Sequence, residues 1–363
     1  MKNILRFVFF IFLSHSMKGQ EVDTLKQEPK KFAIYPALGY SPETHWNFGA
    51  IAFFVFEDQV EDEYHRPSSI TPYAIYTSKH QILTKVEFDM YLRTGMNVNT
   101  EVRYLSFPDN YYGIGNETTP DSVELFNNNF FRLNGRIAKP FSGNLFAGLY
   151  YDFQYNSVSS SIENGMLDTD MPIGENGGRN MGLGPGMQYD SRNSTLYPTS
   201  GKLFNAGITF YSRIFGSEYD YTSFLLDYRQ YFELLGPKNI LAFQFRTELT
   251  AGSEIPFYKL PAIAGDQRLR GIEHRNLYID QQSMYFQVEA RQDLFWRFGG
   301  VVFAGVGEVF DSFSNFNTEN LKFVYGLGGR FQAMRDQKLN IRLDLGFSHE
   351  GQHAVFLSVK EAF

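Results

Sequence analysis

Apolar and polar residues alternate one by one in stretch after stretch, from about residue 32 to the end of the chain. In LNIRLDLGFS, Leu339, Ile341, Leu343, Leu345 and Phe347 fall on one side. Asn340, Arg342, Asp344, Gly346 and Ser348 fall on the other. A period of two is the period of a β-strand with one greasy face. In residues 142–157 the same rule puts Leu145, Ala147, Leu149, Tyr151, Phe153 and Tyr155 together, opposite Asn144, Gly148, Asp152, Gln154 and Asn156. The pattern predicts strands near 32–41, 46–57, 69–79, 81–92, 96–107, 123–138, 142–157 and 179–190. A second set follows near 201–213, 219–233, 238–252, 283–295, 299–311, 321–333, 337–349 and 353–363, sixteen in all.

A soluble sandwich also alternates, but it buries its apolar face and rarely needs so many aromatics. Here 17% of residues are aromatic, with 37 Phe and 23 Tyr, yet mean hydropathy is only -0.30. A transmembrane antiparallel β-barrel reconciles the two. Its apolar face meets lipid, its polar face lines a wet lumen, and aromatics gather at the interfaces. No other segment approaches the 18 or so consecutive apolar residues that a spanning helix needs. The connections fit this all-β reading. Those after odd-numbered strands include long ones at 108–122, 158–178, 253–282 and 312–320. Those after even-numbered strands are mostly short, with 58–68 and 191–200 as longer exceptions. Bacterial barrels have long outer loops and short periplasmic turns. An even strand count then puts both ends of the barrel's chain on the periplasmic side.

The first residues, MKNILRFVFFIFLSHSMKGQ, join Lys2 and Arg6 to an apolar core from Ile4 to Leu13 and then small residues. This is the order of a secretory signal peptide, expected over 1–19. Residues 20–31 read as a short periplasmic tail, and 32–363 as the barrel. The chain has no Cys, which excludes disulfides, thiol chemistry and lipid attachment at a cysteine. A formal charge of -7 argues against nucleic acid as a partner.

Three motifs invite an enzymatic reading. HEGQH at 349–353 has the H-E-x-x-H form of zinc proteases, whose mechanism needs a helix that sets both His on one face. Here Gly351 sits between two alternating segments, so a hairpin loop is expected instead. Gly182, Gly184 and Gly186 lie inside an alternating strand with no helix after them, which points to kinks in a wall rather than a phosphate loop. No G-x-S-x-G elbow occurs, and the seven His are scattered. The expectation is a protein without catalytic residues, metal or cofactor.

Several segments carry a resemblance. PALGYSPETHWNFGA (36–50) resembles the opening hairpin of the outer-membrane assembly and secretion barrels that include the BamA and TamA insertases, the bacterial surface antigen family. GLGPGMQYDSRNSTLYPTSGKLF (182–204) resembles that family's Gly-rich strand and following turn, and IPFYKLPAIAGDQRLRGI (255–272) its long sixth loop. Within the loop, Leu269, Arg270, Gly271 and Ile272 match the Val-Arg-Gly-aromatic motif, with Ile272 in the aromatic position. The resemblance implies that this loop folds back into the lumen and that Arg270 pairs with acidic groups on the inner wall. In SMYFQVEARQDLF, alternation puts Tyr285, Gln287, Glu289, Arg291 and Asp293 on the lumen face, and Glu289 matches the acidic strand position. The next strand departs from the family's Phe-x-Asp-x-Gly: Phe303 and Gly307 match, but Gly305 replaces the acid. One expected acidic contact is therefore missing, so the lock is expected to be weaker or rebuilt. The final strand resembles the family's C-terminal assembly signal, through Val355, Leu357, Val359 and Phe363, with Glu361 atypical on that side.

The resemblance implies a barrel acting in, or assisting, outer-membrane protein insertion or translocation. Its expected partners are membrane lipids, client outer-membrane proteins and assembly machinery or periplasmic chaperones. The family's periplasmic POTRA domains have no counterpart in the dozen residues expected between signal peptide and barrel. A passive pore, or a structural barrel that anchors a partner, is the alternative, and an outer-membrane hydrolase a remote one. Pro36 lacks a backbone donor and suits either an unpaired edge that could template a client strand or simply a strand end.

Overall fold

A computed structural model describes residues 32–363 apart from 42–44, 57–67, 93, 161, 237 and 335–337. The signal peptide and periplasmic tail expected over 1–31, and most of the 58–68 connection, lie outside the described residues.

The strands are β1 (Phe32–Ser41), β2 (His45–Phe56), β3 (Ser68–Thr77), β4 (Ile82–Tyr91), β5 (Asn97–Tyr111), β6 (Glu124–Ser142), β7 (Leu145–Ser160) and β8 (Gly177–Asp190). They continue as β9 (Gly201–Tyr211), β10 (Tyr221–Glu233), β11 (Asn239–Ala251), β12 (Gln282–Phe295), β13 (Phe298–Phe310), β14 (Lys322–Met334), β15 (Leu339–Ser348) and β16 (His353–Val359). Each pairs antiparallel with the next, in one 16-stranded sheet that follows chain order. This nearly closed barrel satisfies backbone groups between strands, as a bilayer requires. Among the described residues no helix is long and apolar enough to cross a membrane, so the strands are the crossing elements.

Alternation becomes two faces. Val302, Tyr325, Leu327 and Leu343 are exposed on the outer surface. Their strand neighbours Phe303, Arg330, Arg342 and Asp344 are buried. The glycines of β8 open room for inward aromatic rings: a Cβ at Gly186 would lie 2.1 Å from the Tyr150 ring.

Three strand ends differ most from expectation. β5 and β6 run on to Tyr111 and Ser142, because Pro108–Tyr111 stay paired with Glu124–Asn127 and Pro140–Ser142 with Leu145–Phe146. The last strand, expected over 353–363, stops at Val359. Lys360 takes a left-handed backbone, φ 71°, which turns residues 361–363 off the sheet. A five-residue helix, α1 (Met166–Asp170), also sits in the connection that alternation left as loop.

β1 and β16 close the circle without a ladder. A Cβ at Gly39 on β1 would lie 3.3 Å from the Leu357 carbonyl oxygen, so the edges are side by side. Among the described residues no pairing joins them. Pro36 lies inside β1, opposite Ala50 of β2.

Candidate functional site

The connection between β11 and β12, residues 252–281, is the sixth outer loop in chain order, and it folds down into the lumen. Its apolar residues drive this. Ile263, Ala264, Leu269, Ile272, Leu277 and Tyr278 join Tyr112, Tyr285, Val309 and Val324 of the wall in one buried cluster. A second cluster holds the loop's earlier half: Phe257 packs with Tyr111, Phe126, Val158 and Leu167. A loop of this length that buries its own side chains is a packed element, not a solvated tether.

The tip lies against β15 closely enough that backbone meets backbone. A Cβ at Gly271 would fall 2.2 Å from the Phe347 carbonyl oxygen, and one at Gly346 would fall 2.0 Å from that of Arg270. Two glycines, one on each surface, make this approach possible.

The contact delivers Arg270 into a fully buried set of charges. Its Nη1 donates to Asp344 Oδ2 at 2.8 Å. Its Nη2 lies 2.6 Å from Glu289 Oε2, close enough for an ion pair, although these two atoms are not aligned as a hydrogen bond. The guanidinium plane sits over Phe303, 3.9 Å from the ring centroid. Asp344 also accepts from Arg330 and Arg342, each at 2.6 Å. Arg342 in turn reaches Asp266 of the loop at 3.0 Å. Buried charges persist where every one has a partner, and guanidinium forks suit that task.

Glu289 is therefore beside Arg270 on β12, as its strand parity implies. The missing acid at 305 has a replacement. Asp344, two strands away on β15, supplies it. Gly305 is occupied from above by the loop: a Cβ there would lie 2.7 Å from Leu269 Cδ2, so an acid at 305 would displace Leu269. Gly307 similarly leaves room for Tyr285. Alternation already placed Asp344 and Arg342 on the polar face of their strand. What it could not show is which wall of the barrel the loop tip would touch.

The residues after β16 join the same network. Glu361 accepts from Arg330 Nε at 2.8 Å and from Asn340 at 2.7 Å. Phe363 packs in the lumen with Tyr231, Ala242 and Ala362. Arg291 ties the parts together. It donates to Glu289 at 2.7 Å, to the Phe363 carbonyl at 3.0 Å and to the Pro198 carbonyl at 3.4 Å. Phe363 thus does not share the outward face of Val355, Leu357 and Val359, a correction to the expected strand. Glu361 was atypical for an apolar face because it does not lie on one.

The loop's earlier half has a second polar contact that sequence reasoning missed. Lys259 Nζ lies 2.6 Å from Asp152 Oδ2 on β7. Asp152 also accepts both Arg132 nitrogens, at 2.7 and 3.0 Å, and the Tyr211 hydroxyl at 2.5 Å. Burial in this crowded place lowers the Lys259 ammonium to about 8.

HEGQH occupies the β15–β16 turn. Lys322 lies 2.6 Å from Glu350, and the Tyr278 hydroxyl donates to the same carboxylate. His349 Nδ1 accepts from the Phe323 amide at 3.1 Å. Among the described residues, no group of three or more His, Cys, Asp or Glu is placed to hold a metal ion.

Comparison with known proteins gives the following. A family model described as the Omp85 superfamily domain matches residues 77–350. The chain is similar to a crystal structure of BamA from Haemophilus ducreyi lacking POTRA domains 1–3, with TM-score 0.63 and 13% identity. That likeness covers 92% of this chain and 70% of the other. It is also similar to CdiB from Acinetobacter baumannii, with TM-score 0.57 and 11% identity, over 91% of this chain and 60% of CdiB. At such identities the likeness is one of fold. No curated protein matches the chain.

Proposed function

The chain belongs to the Omp85 superfamily, as a barrel of the bacterial outer membrane, and from that premise we propose that it inserts or translocates outer-membrane proteins at the seam between β1 and β16. The observation that carries this reading is the missing ladder at that seam. Two strand edges lie side by side with their donors and acceptors uncommitted to each other. An unpaired edge is a template for another strand. Pro36, inside β1, leaves that edge strand with one donor fewer.

The filled lumen weighs against a passive pore. The sixth loop, the Arg270 network and residues 361–363 occupy the space a wide channel would need. An ionic contact, Lys360 Nζ to Glu87 Oε2 at 3.5 Å, spans from the end of β16 to β4. A contact this exposed holds weakly and would not prevent the edges from parting. We take the protein to act without catalysis: HEGQH forms the β15–β16 turn and not a helix, and Glu350 is engaged by Lys322 and Tyr278.

Co-purification from gently solubilised outer membranes tests this. Insertion predicts recovery with client barrels or with other assembly proteins. Recovery of the barrel alone, with high ion conductance in planar bilayers, would support the pore instead.

A further inference from the structure

The β8–β9 connection, residues 191–200, is a long exception at the end of the barrel where turns are short, the periplasmic end. Its own polar side chains fix its shape. The Ser194 hydroxyl accepts from the Leu196 and Tyr197 amides at 3.3 and 3.2 Å. Asn193 Oδ1 accepts from the Thr199 amide at 3.0 Å. Such bonds from side chain to backbone hold a turn in one conformation. The folded turn buries Tyr197, Pro198 and Thr199 in succession, with Tyr197 only 4% exposed. Three consecutive buried residues mean that the turn is packed against something.

Their contacts show what that is. β8 and β9 lie halfway round the sheet from the seam strands. Yet the Tyr197 hydroxyl donates to Asp293 Oδ1 of β12 at 3.2 Å. The Lys338 ammonium, from the β14–β15 turn, sits over the Tyr197 ring, 5.2 Å from its centroid. The turn therefore reaches under the lumen, past β10 and β11. The chain end comes from the other side, and Phe363 packs on Tyr231 of β10 and Ala242 of β11. Arg291 meets both. Its Nη1 donates to the Pro198 carbonyl at 3.4 Å and its Nη2 to the Phe363 carbonyl at 3.0 Å. Its guanidinium lies 5.8 Å from the Tyr197 ring centroid and 5.7 Å from that of Phe363.

We propose that residues 191–200 and the chain end form a two-part seal across the periplasmic mouth of the lumen, with Arg291 as the latch that both halves share. A barrel of this strand number leaves a water-filled channel unless something fills it. The sixth loop fills the lumen from the outer side, and the seal closes it from the other. Between the two stand Gln244 and Gln287, 1% and 2% exposed. Gln287 Nε2 donates to Gln244 Oε1 at 2.6 Å and to the Gln267 carbonyl of the loop at 3.2 Å. Gln244 is the next inward position after Ala242, which Phe363 covers. The seal is held by a few side-chain contacts and no strand ladder, so it can open while the barrel stays folded. The inference stands whether or not the seam between β1 and β16 parts, since it concerns access to the lumen and not pairing at the edges.

The chain has no Cys, so a single introduced thiol reports access. Gln244→Cys places one behind the seal. Ser223→Cys places one in the cavity beside Phe257 and Lys259, near the outer end of β10. The full-length protein in detergent is reacted with N-ethylmaleimide, and the rate of modification is followed by mass. We expect slow modification of Gln244→Cys, made roughly tenfold faster by adding Tyr197→Ala or Arg291→Gln, as for release of a local closure. Tyr197→Phe keeps the ring in the mouth and should leave the rate near its starting value. Ser223→Cys should react at the same rate in every background. Where Gln244→Cys fails to fold, Gln287→Cys, its partner across the strands, takes its place. Fast modification with the seal unaltered, or a rate indifferent to Tyr197→Ala and Arg291→Gln, would overturn the seal. Equal acceleration at Ser223→Cys would do so too, because it would mean a general loosening of the barrel.

Discussion

Arg270 and Lys259 reach from the same loop to opposite walls, and the two contacts are not equivalent. Asp344 receives three guanidinium hydrogen bonds, from Arg270, Arg330 and Arg342. Glu289 receives one aligned bond, from Arg291. Asp344→Asn should therefore loosen the loop more than Glu289→Gln does. Arg270→Ala takes one cation from beside both acids but leaves Asp344 its Arg330 and Arg342 bonds and Glu289 its Arg291 bond. It should therefore cost less than about 3–5 kcal/mol, the range for breaking an isolated buried pair from one side. Limited proteolysis within 252–281 measures all three variants. Lys259 behaves in the opposite sense. Its amine holds a proton less tightly when buried than when free, so the unfolded or open state binds more protons above about pH 8. Stability of the docked loop should rise from about pH 8 up to the usual lysine range near pH 10.5, and Lys259→Met should be neutral or tightening. Loss of docking over that pH window would contradict the assignment. At this scale the sequence showed which residues face inward, Glu289 and Asp344 among them. It could not show that the two acids meet, because they are separated by β13 and β14 and joined only by a loop from outside.

Among elements, β16 is the one whose sequence misleads. Its alternation through Val355, Leu357 and Val359 continues on paper to Phe363. One left-handed residue, Lys360, ends the strand and sends Phe363 inward. Nothing in the local pattern announces that turn. The pull comes from Arg291, Arg330 and Tyr231, which belong to distant strands. Phe363→Ala should therefore lower the stability of the already folded barrel, by about 3 kcal/mol if its pocket does not collapse. The readout is the temperature at which the heat-modifiable band shifts. A barrel of unchanged stability that merely accumulates poorly in cells would mean that Phe363 serves as an assembly signal and not as a packing residue. The other strands were legible because each repeats one rule, apolar outward and polar inward, over ten or more residues. The largest boundary misses besides β16 fall on β5 and β6, whose ends stay paired with their neighbours beyond the predicted limits.

For the whole molecule, the sixteen-strand barrel follows from sequence because a bilayer leaves so few alternatives: among the described residues no helix is long and apolar enough to cross, and a nearly closed sheet remains. The function does not follow in that way. It rests on a defect in closure, and a defect of pairing leaves no mark in alternation beyond an ambiguous Pro36. The account therefore stands or falls on whether the seam must part. Gly39 and Ser358 lie on the lumen faces of β1 and β16, and the chain has no other thiol. Gly39→Cys combined with Ser358→Cys would allow the edges to be locked by oxidation and freed by reduction. The decisive measurement is the rate at which a urea-unfolded outer-membrane protein folds into liposomes carrying this variant. The account predicts acceleration when reduced, loss of it when oxidised, and recovery on reduction. Acceleration that survives the lock, or none in either state, would contradict it.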